Sequence, residues 1–100
     1  MRIEYPHSHS KEKVYEIFNS YFDTLTQRKL QQEAIESAEK VWNPTKDIMD
    51  ITVYIRGSKA TGQVILEQNQ VVIESKLPIL LLPFTQVIKR EIIKKLEDLL

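Results

Sequence analysis

The sequence predicts an α+β fold: an antiparallel sheet of three to five strands with an N-terminal and a C-terminal helix packed on one face. Three observations predict it. Apolar residues recur at helical spacing from Lys11, and again from Phe84 to the C-terminus. Between these two stretches, β-rich runs follow one another with only short polar turns. At 100 residues the chain reads as a single domain, residues 1–100, able to bury one modest core.

"RIEYP" is short and alternating, and its proline limits further pairing, which suits an edge strand. Ser8 or Ser10 then supplies an N-cap, with Glu12 near the positive end of the helix that follows. Val14, Ile17, Phe18, Tyr21, Phe22 and Leu25 form the apolar stripe of that helix. Residues 33–42 are readable as helix or strand: Gln, Glu and Ala favour the former, but Ile35, Ser37, Glu39 and Val41 alternate with their neighbours. "NPTKD" behind them is a strong turn, so a strand from about Ala34 to Trp42 in a hairpin is the preferred reading.

"DIMDITVYIRG" is the clearest strand, with Ile51, Val53 and Ile55 on one face. "SKATG" is read as a turn into "QVILEQ", and "NQ" as a turn into "VVIESKL", giving a meander. The only glycines, Gly57 and Gly62, bracket the first of these turns. Pro83 suits the first turn of the last helix. Phe84, Val87, Ile88, Ile92, Leu96 and Leu99 are its expected buried stripe.

Fourteen basic residues balance fourteen acidic ones, leaving no global field to gather nucleic acid or an anionic membrane. Without cysteine there is no disulfide, thiolate zinc site or cysteine nucleophile. The longest apolar run, "LPILLLPF" from Leu77 to Phe84, is eight residues, against about 20 for a membrane-spanning helix. The N-terminus carries no apolar secretory segment. The expected location is therefore the cytoplasm.

Chemistry-bearing patterns are few. His7 and His9, at i, i+2, would share one face of a strand, and Glu4 or Glu12 could complete a metal site. The spacing is weak evidence, since a firm site needs three or four ligands in a defined pattern, and the preferred reading is two polar residues in the loop leading into the first helix. Ser8 lacks a nucleophile elbow, and "GSKATG" cannot form a phosphate loop. Lysines on the last helix are interrupted by Glu91, Glu97 and Asp98 and read as a solvated face; Trp42 reads as a hairpin-end core residue. No catalytic, cofactor-binding or metal-binding residue is expected, and an enzyme is the least supported class.

"LPILLLPF" is the feature left over. Leu77 ends a strand and Phe84 begins the last stripe, so Ile79, Leu80, Leu81 and Leu82 are the candidate apolar contact. They fall at a strand–helix corner.

The order "IEYPHS", helix, Trp42, Asp50, "GQVIL" from Gly62, then "VVIESKLPILLLPF" and "VIKREIIKKLEDLL" resembles the small polyhydroxyalkanoic acid system proteins. Ile88, Glu91, Ile92 and Leu96 match their C-terminal helix; Pro78 stands where they favour glycine, and the stretch from Trp42 to Asp50 is longer. The resemblance includes an "LL" at the strand–helix corner, which implies that most of Ile79, Leu80, Leu81 and Leu82 are buried. The resemblance implies a role in bacterial polyester storage and supplies no catalytic residue. It leads to the expectation of a non-enzymatic accessory protein contacting a polyhydroxyalkanoate granule or a granule-associated protein. The alternatives are a small hydrophobic-ligand-binding domain, for which a 100-residue interior is small, and a structural homodimer.

Overall fold

The computed structural model describes residues 1–27, 35–55 and 57–100. In chain order the elements are β1 (Arg2–Pro6), α1 (Lys11–Gln27), β2 (Ile35–Trp42), β3 (Ile48–Ile55), β4 (Ser58–Leu66), β5 (Gln70–Lys76), a 3-10 helix (Ile79–Phe84) and α2 (Thr85–Leu99). The five strands form one antiparallel sheet in the order β1-β5-β4-β3-β2. The fold is therefore α+β, with one helix near each end of the chain. β2 to β5 form a meander, and β1 closes onto β5 as an edge strand.

Pairing settles the ambiguous segment. Trp42 faces Met49 and Lys40 faces Ile51, so β2 is a strand in a hairpin with β3. Ala34, the expected first residue of that strand, and the side chains of Leu25 and Ile55 lie outside the described residues. The hairpin turn is built on Asn43, whose Oδ1 accepts the backbone N–H of Asp47 and of Ile48, each at 3.0 Å. Lys46 takes a positive φ of 60° there. β4 begins at Ser58, so "SKATG" is strand rather than turn. The reversal is shorter and uses Gly57 at φ 79°. Gly62 is thereby a mid-strand residue.

At α1 the cap is Ser10: its Oγ accepts the Lys13 N–H at 3.2 Å and its carbonyl accepts the Val14 N–H at 3.0 Å. Asn19 ties the helix to β2, its Oδ1 accepting from Trp42 Nε1 at 3.1 Å and from Lys40 Nζ at 2.7 Å. Tyr15 packs against Trp42 with ring centroids 4.8 Å apart.

The core gathers Ile3, Val14, Phe18, Met49, Val64, Leu66, Val71 and Leu96. Strand alternation explains the membership, since Ile3, Ile73, Val64, Met49 and Trp42 are successive cross-strand partners in one row. Complete burial of a side chain such as Phe18 or Met49 contributes about 1.5–3 kcal/mol. The neighbouring row is polar: Arg2, Glu74, Gln63 and Asp50 are successive partners. Arg2 pairs with Glu74, and Gln63 Nε2 donates to Asp50 Oδ1 at 2.8 Å.

An apolar corner beside an open groove as the candidate functional site

After β5, Pro78 adopts an extended conformation and the chain tightens into the 3-10 helix. Leu81 N–H donates to the Pro78 carbonyl at 2.8 Å, and Thr85 Oγ1 closes the far end on the Leu82 carbonyl at 2.7 Å. None of the six residues of this helix is buried. Ile79 is 83% exposed and Leu80 76%; Leu82 and Phe84 are about half exposed, and Leu81 is partly covered. The expectation that the corner buries most of Ile79, Leu80, Leu81 and Leu82 is corrected accordingly. A 3-10 helix completes a turn in three residues, so six consecutive apolar residues point around its whole circumference. One supporting element cannot cover them all.

The expected stripe of α2 is corrected in the same region. Phe84 precedes the helix, Pro83 lies in the 3-10 segment, and Val87 is about half exposed. The α2 residues in or against the core are Ile92, Ile93, Leu96 and Leu99, joined by Leu100, all in the C-terminal half. The N-terminal half of α2 contributes no residue to this core among the described residues.

An apolar groove of about 480 Å³ is lined by residues of α1, α2 and the sheet. Ile51, Val53, Ala60 and Val64 contribute to its floor, Phe18, Tyr21 and Phe22 line one side, and Ile88, Ile92 and Leu99 the other. Val87 lines the groove and is about half exposed. Gly62 lies on the floor, where a Cβ would come within 3.0 Å of the Glu74 carbonyl. Lys95 crosses the rim, its Nζ 5.7 Å from the centre of the Tyr21 ring. Sequence reasoning offers a hydrophobic-ligand pocket only as an alternative and does not name its lining, because periodicity reports which residues of a helix are apolar, not the angle at which the helix docks. The one signal was the doubled Val87–Ile88, which widens the stripe beyond what a single contact covers.

His7 and His9 lie apart from this region. Their rings stack at 5.9 Å, His7 Nδ1 accepts the His9 backbone N–H at 3.1 Å, and His9 Nε2 contacts the Leu100 carbonyl at 3.1 Å. His7 Nε2 is buried without a hydrogen-bond partner among the described residues. Desolvation, then the neighbouring His9 charge, lowers the His7 pKa from its ordinary value. Among the described residues, no group of three or more His, Cys, Asp or Glu is arranged to hold a metal ion. No helix among them is long and apolar enough to cross a membrane.

A family model described as "Putative polyhydroxyalkanoic acid system protein" matches residues 1–100. The chain belongs to the polyhydroxyalkanoic acid system family. No curated protein and no solved structure matches it. Family membership ties the chain to the polyhydroxyalkanoic acid system, and the apolar corner lies within the matched residues.

Proposed function

We propose that this protein is a non-enzymatic, cytoplasmic accessory protein of polyhydroxyalkanoate storage that contacts the granule surface through Ile79, Leu80, Leu82 and Phe84. The observation that carries the reading is the contiguous exposure of these side chains on one short helix. Surface hydrophobics scattered singly are ordinary, but a cluster of this kind marks a contact site. A polyester granule offers a broad apolar face, and removing a leucine side chain fully from water contributes about 1.5–3 kcal/mol. Partial burial of several such side chains is enough for reversible attachment.

The proposal includes both helices lying on one sheet face, with the corner projecting at the end of α2. Val14, Phe18 and Leu96 share a cluster with Met49, Val64 and Val71, and these strand residues alternate to a single side. The opposite row, with Arg2, Glu74, Gln63 and Asp50, is suited to water.

Purified protein should co-sediment with washed polyhydroxyalkanoate granules, and Leu80→Glu should reduce the bound fraction while the thermal transition stays in place. Wild-type protein that remains in the supernatant at every granule load defeats the reading. Binding only when other granule proteins are present would move the contact from polymer to protein.

A further inference from the structure

The groove between α1 and α2 calls for an occupant of its own, distinct from a flat granule surface. Its volume, about 480 Å³, falls within the roughly 300–1,000 Å³ typical of small-molecule sites. Its floor is aliphatic and includes Gly62, which adds no side chain to it. Aromatic rings line one wall and branched aliphatics the other, a lining that suits a flexible hydrocarbon chain.

One cation lines the groove among the described residues, and it is Lys95. None of the ion pairs among those residues involves it. Its ammonium sits over the Tyr21 ring of α1 although Lys95 belongs to α2, so it spans the mouth. Glu91, one helical turn earlier, is the one acidic residue in the lining and opposes any anion placed there.

We propose that this groove binds a free aliphatic carboxylate, with the hydrocarbon chain over Ile51, Val53 and Ala60 and the carboxylate paired with Lys95. The site goes beyond granule contact, because its ligand is a single soluble molecule and its residues are not those of the exposed corner. An apolar chain with one charged end matches an apolar trough whose one cation, among the described residues, rests on a ring rather than in an ion pair. A neutral ligand would gain no charge-assisted contact with the ammonium.

Displacement of a dansyl-labelled undecanoic acid by dodecanoate tests this, with dodecan-1-ol as the uncharged control. Wild-type protein should bind dodecanoate saturably with one site and prefer it to the alcohol. Lys95→Gln should weaken dodecanoate about fivefold and leave the alcohol unchanged. Glu91→Gln should tighten dodecanoate, and Val53→Trp, which fills the floor, should weaken both ligands while the circular dichroism spectrum is retained. The proposal is overturned if dodecanoate does not displace the probe, if Lys95→Gln affects acid and alcohol alike, or if sedimentation shows a dimer that releases the probe as it forms. Granule co-sedimentation of Lys95→Gln should equal wild type, so failure of this site and failure of granule contact are read separately.

Discussion

Asn43 and Asp47 bind one another in both directions. Asn43 Oδ1 accepts the Asp47 backbone N–H at 3.0 Å, and Asn43 Nδ2 donates to Asp47 Oδ1 at 2.7 Å. Thr45 Oγ1 adds a third link to the same carboxylate at 2.6 Å. The β2–β3 turn is thus closed by side chains as well as by the backbone bond from Asn43 N–H to the Ile48 carbonyl at 2.9 Å. Asn43→Ala removes the acceptor for two backbone donors and should destabilise the protein by about 1–3 kcal/mol, read as a lower urea midpoint.

Hydrogen bonds from Thr45 and then Asn43 hold the Asp47 carboxyl below its ordinary range. A depressed acid pKa adds stability above the unfolded value and loses it as pH falls through the folded one. In Thr45→Val the Asp47 carboxyl resonance should titrate at higher pH than in wild type, followed by NMR; an unchanged midpoint would mean that the hydroxyl contributes nothing.

His7 behaves with the opposite charge sense. Its folded pKa lies below the ordinary 6.5, so the unfolded chain binds the proton first as pH falls. Stability should therefore be full above about pH 6.5 and decline below it, towards the folded pKa. His7→Asn keeps an acceptor for the His9 N–H but removes the titrating ring. The variant should show a smaller drop in urea midpoint between about pH 7.5 and about pH 5.5 than wild type.

Gly62→Ala places a methyl 3.0 Å from the Glu74 backbone oxygen, and a carbonyl held in the β4–β5 ladder has little room to retreat. We expect a loss of about 1–3 kcal/mol, despite the better strand propensity of alanine. A thermal midpoint equal to wild type would show that the strands separate freely at that point.

Leu80→Glu and Phe18→Ala form a contrasting pair. Leu80 is 76% exposed, so its replacement should change stability by no more than about 0.5 kcal/mol. Phe18 is 2% exposed in the core, and its truncation should cost about 3–5 kcal/mol. Equal effects in calorimetry would mean that the corner is packed in solution.

Much of the fold is legible in single residues. Ser10 announces the start of α1, and the stripe through Val14 and Phe18 announces its buried side. Residues 35–42 carried conflicting local signals, which only the cross-strand partnership of Trp42 with Met49 resolves. Glycine commonly marks chain reversals, so sequence alone places Gly62 at a turn, whereas here it lies within β4 and the close approach of Glu74 calls for it. The site was legible as an apolar run but not as an exposed one. Hydrophobicity at Ile79 and Leu80 favours burial, but burial needs a facing surface, and the docking of α2 through Leu96 and its neighbours supplies none there.

The exposed corner also governs how free copies of the chain behave towards one another. Fourteen positive and fourteen negative groups cancel, so no long-range repulsion keeps two molecules apart when their corners meet. Colloidal stability then depends on whether Ile79, Leu80 and Leu82 are already covered. If the corner docks on an apolar surface as proposed, the tendency of free copies to meet through it falls as more of that surface is on offer.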